Sequence, residues 1–268
     1  MIQNEDKDPE ISNYAATFLP DGLPEKVYKF TTINDNTLKS LKDAYLWYSR
    51  PSSFNDPYDC YKHLLTFDPT DQDIIDFVTK NILLTGAALQ AEINYFLQHR
   101  ELIPQAQMAT IEATLDAQGI CCFTTNYRNT LMWSHYAKNH SGICMVFEPK
   151  NDITSFFIGK VHYTSEFTPW NYYDRNRIGL MFLITTKSSD WAYECEYRGM
   201  SMNPGAVLFQ RQALTEIIFG CKTKQEDIEA VMNTIKNAGY TRMKYTQACM
   251  LPNSFLLDFK SIKQQDSK

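Results

Sequence analysis

The sequence predicts an α+β protein, a single domain on a mixed or antiparallel central sheet of six or more short strands with flanking helices. Three observations carry this. Short runs of aromatic and β-branched residues with period-two alternation recur along the chain. Amphipathic segments with apolar residues at spacings of three and four stand between them. One long stretch, about residues 70–118, shows only the helical period and reads as a helical insertion. With 268 residues, 44% hydrophobic and 13% aromatic, the chain has enough apolar surface for a substantial core.

Residues 1–25 are polar and proline-punctuated and read as an N-terminal arm, with the domain spanning 26–268. VYKFTT (27–32) alternates as a first strand; a capped helical stretch, NDNTLKSLKD, leads into a second, AYLWYS. The prolines of RPSSFNDPYDC impose a loop. After the helical insertion, GICCFTT returns to strand character, TLMWSHYAKNH is a compact helix, and GICMVFEP is again a strand. GKVHYTS reads as a strand and IGLMFLITTKS as a helix. WAYECEYRG reads as a strand, and ALTEIIFG as a helix-to-strand transition. QEDIEAVMNTIKNAGY is an amphipathic helix closed by glycine, and KYTQACMLPNSFLLDF forms the terminal strands.

A net charge of -5 gives no global basic field for sequence-independent nucleic-acid binding, although a local patch stays open. No run of 18 apolar residues occurs and the N-terminus is acidic and polar, so no membrane span or secretory signal is expected and the cytosol is the expected compartment. The seven cysteines are odd in number and embedded in apolar sequence, which predicts reduced thiols and no disulfide framework. Neither a P-loop nor a G-x-G-x-x-G fingerprint is present, which argues against P-loop nucleotide hydrolysis and a Rossmann dehydrogenase.

Three stretches carry candidate chemistry. In WAYECEYRG, strand alternation puts Trp191, Tyr193, Cys195 and Tyr197 on one face and Glu194, Glu196 and Arg198 on the other. Two carboxylates about 7 Å apart on one face repel unless a cation, water or a cationic ligand intervenes, and Arg198 is placed to compensate. A solvated face of Glu, Glu and Arg is the plainer alternative. In LWYSRPSSFNDPYDC, Asn55, Asp56 and Asp59 cluster around Pro57 on a rigid loop suited to binding, while Ser52, Ser53, Asn55 and Asp56 would serve equally as helix caps. In CFTTNYRNTLMWSHYAKNHSGICMVF a strand ends at Thr124 and Thr125, and the following helix carries Trp133, His135 and Tyr136. His135 and His140 are five apart and do not share a helix face, so with Cys121, Cys122 and Cys144 they lack zinc-site spacing.

Together the segments VYKF, LWYSRPSSFNDPYDC, CCFTTNYRNTLMWSHYAKNHSGICMVF, WAYECEYRG and ALTEIIFG resemble an uncharacterised bacterial family, domain of unknown function 2971, over roughly residues 26–222. The order of elements is more distantly similar to that of ADP-ribosyltransferases. That resemblance implies an NAD-consuming enzyme, by ADP-ribosyl transfer or NAD glycohydrolysis, with NAD as substrate, no metal, and an acceptor the sequence does not name. It places Lys29 against NAD, Thr124 and Thr125 at the turn, and Glu194 and Glu196 as the Glu-x-Glu pair. Glu196 would hold the nicotinamide-ribose hydroxyl and stabilise the oxocarbenium-like centre, and Glu194 would orient or deprotonate the acceptor. Tyr28, Ser49, Asn55, Trp133, His135 and Arg198 complete the expected NAD-contacting set. Such an activity fits a toxin or anti-phage effector.

Two other functions stay open on the residues alone. A metal-dependent nuclease or phosphodiesterase would gather Mg²⁺ on Asp56, Asp59, Glu194 and Glu196, with Lys187 or Arg198 steadying the transition state. A non-catalytic cytosolic binding or sensor domain would receive a basic peptide or cationic ligand in an acidic cleft.

Overall fold

The computed structural model describes residues 17–175 and 179–262. The chain passes through β1 (Val27–Thr31), α1 (Asp35–Asp43), β2 (Tyr45–Tyr48), β3 (Leu65–Thr66), α2 (Asp71–Asn81), α3 (Gly86–Gln98) and α4 (Leu102–Asp116). It continues through β4 (Gly119–Thr124), α5 (Thr130–Tyr136), β5 (Ile143–Phe147), β6 (Ile158–Lys160), β7 (His162–Thr164), β8 (Trp170–Asn171), α6 (Gly179–Thr185) and β9 (Thr186–Ser188). The last elements are β10 (Glu196–Ser201), β11 (Gly205–Leu208), β12 (Leu214–Phe219), α7 (Gln225–Asn237), β13 (Lys244–Met250) and β14 (Leu257–Ser261). The fold is α+β. Eight strands form one mixed sheet in the order β14-β13-β12-β5-β1-β4-β10-β6. Only β12 and β13 run parallel within it, and α7 supplies the long crossover that a parallel pair needs.

The chain groups into two compact units, Met1–Ser49 with Gly119–Val161 and Asp190–Lys268, and Arg50–Gln118 with His162–Ser189. The second unit therefore takes in more chain than the helical stretch at 70–118. Residues 1–16 of the expected arm lie outside the described residues. Of the remainder, Thr17 and Phe18 form a helical turn and Phe18 is buried. Ile178, where the expected IGLMFLITTKS helix begins, also lies outside them.

In the first unit the sheet buries both faces. Val27 of β1, Met145 and Phe147 of β5, Phe123 of β4 and Phe219 of β12 pack with Leu41 of α1 and with Ile228, Val231 and Ile235 of α7. Phe30, Cys144, Val146 and Ile218 face the other way, onto Met132, Trp133 and Ala137 from α5 and its end. Asn34 caps α1 by accepting from the Thr37 amide at 2.9 Å. Past α5 the chain turns back through three consecutive left-handed residues, Lys138, Asn139 and His140, at φ of 47, 54 and 70°. Close approach explains two glycines around this turn: a Cβ on Gly142 would stand 2.3 Å from the Thr31 carbonyl oxygen, and one on Gly220 2.1 Å from that of His140. Lys222 then donates its amide to the His140 carbonyl at 2.9 Å, and Thr223 its hydroxyl to that of Gly142 at 2.9 Å.

In the second unit, Ile74, Val78, Ile93 and Ile103 make a small helical core. Thr70 and Asp73 form a reciprocal capping box at the start of α2. The short pairs β3–β8 and β7–β9 are both parallel. GKVHYTS thus divides into two strands, β6 in the large sheet and β7 paired with β9.

Candidate functional site

WAYECEYRG is not one strand. Residues Ser189–Glu194 form a 3-10 turn and β10 begins only at Glu196. Cys195 between them has φ +46°, the left-handed region that breaks strand alternation. Trp191, Tyr193, Cys195 and Tyr197 therefore do not share a strand face. Cys195 is exposed, whereas Glu194 and Glu196 are each 3% exposed. Across the kink the two acids, two residues apart, both stay buried while the residue between them is exposed.

Register fixes what Glu196 meets. It stands opposite Thr124 on β4, and Thr124 stands opposite Tyr28 on β1. These three side chains form one row across three neighbouring strands, on the face that α5 covers. Arg198, two residues on, shares that face and is completely buried. It donates from Nε to Glu196 Oε1 at 3.0 Å and from Nη2 to Oε2 at 3.1 Å, a bidentate fork. Glu194 is held from the helix: the Tyr136 hydroxyl donates to its Oε1 at 2.5 Å. Burial, then the hydrogen bond and charge of Glu194, push the Tyr136 pKa far above its usual value, and Glu196 adds to the same shift. Both carboxylates thus raise the same phenol, and Glu194 does so in direct contact. The half-buried Cys122 thiol, opposite Arg198, is likewise raised, first by desolvation and then by the Glu196 charge.

The threonine corner is tied directly to the kink. Thr125 donates its amide to the Cys195 carbonyl at 3.1 Å, and Thr124 Oγ1 accepts from the Asn126 amide at 2.8 Å. Asn129 then caps α5 through the Leu131 amide at 2.8 Å and donates from Nδ2 to the Tyr193 carbonyl at 3.0 Å. The corner, the helix start and the 3-10 turn before Glu194 are one hydrogen-bonded assembly.

Other expected site residues fall elsewhere. Lys29 follows Tyr28 on β1 and emerges on the opposite face. There, burial lowers its pKa, but the Cys121 thiol, Cys122 and Glu196 raise it by more, leaving a net upward shift. Tyr28, with its pKa pushed up to about 12 mainly by burial, takes the place beside the threonine corner. Trp133 is fully buried, meets Phe30 edge-on at 4.9 Å and donates its indole N–H to the Tyr127 carbonyl at 2.8 Å, so it is a core residue. His135 lies on the outer side of α5 and is exposed. Ser49 exchanges backbone hydrogen bonds with Ile120, toward the opposite end of β4 from Thr124.

Asn55 is exposed and belongs to the second unit. That unit contains a pocket of about 420 Å³ whose wall includes Asp56, Asp59, Tyr61, Lys62, Glu112 and Asp116. Asp56 accepts from the Tyr58 amide at 2.9 Å, a local turn. Asp59 pairs with Lys187 at 3.7 Å, both side chains buried. Among the described residues, no three His, Cys, Asp or Glu side chains lie close enough together to hold a metal ion. Nor is any helix among them long and apolar enough to cross a membrane.

Sequence reasoning missed three contributors: Tyr136 as the partner of Glu194, the Cys195 kink, and Cys122. Tyr136 had a signal, because it lies three residues after Trp133 and shares its helix face. Cys122 had one as well, two residues before Thr124 on the same strand face; the kink had none.

With this geometry in hand, comparison with known proteins adds one match: a family model described as a protein of unknown function (DUF2971) fits residues 132–199. That span runs from Met132 of α5 through Gly199 of β10 and so contains Tyr136, both acids and Arg198, but not FNDPYD. No curated protein and no solved structure matches the chain.

Proposed function

We infer that the chain is an NAD-consuming, ADP-ribosyltransferase-like enzyme whose chemistry is centred on Glu196 and Glu194. The observation that supports this reading is the row Glu196–Thr124–Tyr28 on adjacent strands, with the second acid, Glu194, buried and held by the Tyr136 hydroxyl. The Arg198 fork fixes both oxygens of Glu196 in one orientation, suited to holding a ribose hydroxyl and to stabilising positive charge as it develops on the sugar. The glycosidic C–N bond breaks with its electron pair leaving on nicotinamide, and water or an acceptor nucleophile takes its place. Glu194, poised by Tyr136, orients or deprotonates that nucleophile. Tyr28 rather than Lys29 serves on the first strand.

Purified protein incubated with NAD is expected to release nicotinamide at a rate that EDTA does not change. Absence of release from the wild-type chain overturns the reading, and EDTA-sensitive cleavage of DNA or RNA in its place establishes the metal-dependent alternative.

One observation favours a second, non-catalytic reading. Each carboxylate is 3% exposed and already engaged by donors from the protein itself. On that reading the cluster is a polar staple in the core of a binding or sensor domain, and its substitution changes stability alone.

A further inference from the structure

We propose that Arg128, braced against Tyr127 and Phe259, is a subsite for the phosphate groups of a nucleotide, and, on the reading above, for the diphosphate of NAD. Its guanidinium carbon stands 5.1 Å from the Tyr127 ring centroid and 5.0 Å from that of Phe259. The two rings meet edge to face at 4.9 Å and 70°, forming a corner in which the planar cation rests. The other face of the contact leads to the candidate site: Tyr127 packs on Tyr28 at 4.8 Å, and Tyr28 begins the row that ends at Glu196.

Three further observations bear on this arginine. Arg50, Arg100 and Arg198 are each engaged by a carboxylate. Arg128, like Arg211 and Arg242, has no such partner among the described residues, although the chain is acidic overall; of these it is Arg128 that stands over two rings. It is also exposed, so its N–H edges are available while the rings hold its plane. Finally, its backbone is fixed: Asn126 Oδ1 accepts from its amide at 3.2 Å, the Tyr127 carbonyl is held by Trp133 at 2.8 Å, and Asn129 is tied to Tyr193 at 3.0 Å. A pre-oriented guanidinium fork matches two phosphate oxygens at once, and rigid presentation lowers the ordering cost of binding. A nucleotide seated there reaches along Tyr127 and Tyr28 toward the acids.

The test uses the full chain and ADP-ribose as probe, with binding followed by calorimetry, and adenosine as the phosphate-free comparison. Arg128→Ala is expected to weaken ADP-ribose binding by about tenfold or more, the loss of a charge-assisted bidentate contact, while leaving adenosine binding unchanged. Arg128→Lys should recover only part, because a lysine keeps the charge without the planar fork. Arg211→Ala is the control, removing an exposed arginine that stacks on Tyr240 in the same unit, and should leave ADP-ribose binding as in the wild type. Equal weakening by Arg128→Ala and Arg211→Ala overturns the proposal, as does wild-type protein that does not bind ADP-ribose. Nicotinamide release is read separately. If Arg128 governs ADP-ribose binding while no nicotinamide is released, the subsite stands and the catalytic reading falls.

Discussion

Two buried carboxylate–cation pairs, one in each unit, show how differently such a pair can be built. Glu196 and Arg198 are neighbours on one face of one strand and meet in a two-pronged contact at 3.0 and 3.1 Å. Asp59 and Lys187 come from distant segments of the chain and meet at 3.7 Å. The second pair fastens a loop to β9 and makes sense as a staple. The first fastens nothing that the strand does not already join, since its partners are two residues apart. What it does is set the orientation of a carboxylate beside Thr124, and that distinction separates a group held for its geometry from one held for the fold.

Substitutions can break or sharpen this comparison. The largest effect is expected from Arg198→Met, which strands Glu196 in the interior: removal of one partner from a buried pair costs about 3–5 kcal/mol, read by urea unfolding, and nicotinamide release should disappear. Lys187→Met should destabilise by less and leave the release rate per folded molecule unchanged; a lost rate there would erase the contrast between the pairs. Next comes Tyr136→Phe, which removes a hydrogen bond to a charged group worth about 1.5–3 kcal/mol. Cys195→Val puts a β-branched residue into the left-handed region and should destabilise relative to the wild type, whereas Cys195→Gly, free of the left-handed penalty of about 1–2 kcal/mol that other residues carry, should be tolerated; equal midpoints for the two would show that the kink exerts no constraint.

The smallest effect concerns His140, whose pKa is lowered from 6.5, by burial first and by Lys222 second. The unfolded chain then binds a proton more readily than the folded one, so stability is fully present above pH 6.5 and declines as pH falls toward the lower folded value. Thermal midpoints across pH 5–8 should show this decline in the wild type and a shallower one in His140→Gln.

Much of the fold was legible because its strands and helices declare their periods. VYKFT, GICCFT and ICMVF alternate or run apolar, and α7 shows a clean amphipathic stripe. Less of the site was legible, for three physical reasons. A non-glycine residue in the left-handed region carries no mark in the sequence, so Cys195 hid the break before β10. Alternation tells which residues share a face but not which face a ligand would see, so Tyr28 and Lys29 could not be told apart before the β1–β4 register was known. And the Tyr136–Glu194 bond spans 58 positions, beyond the reach of any local pattern.

The account rests on Glu196, and the most direct test compares nicotinamide release by the wild type and by Glu196→Gln, with both proteins first shown to be folded. The amide keeps the shape of the side chain and removes the charge the sugar needs, so the account predicts a fall of at least about a hundredfold. Equal rates in the two proteins would contradict it.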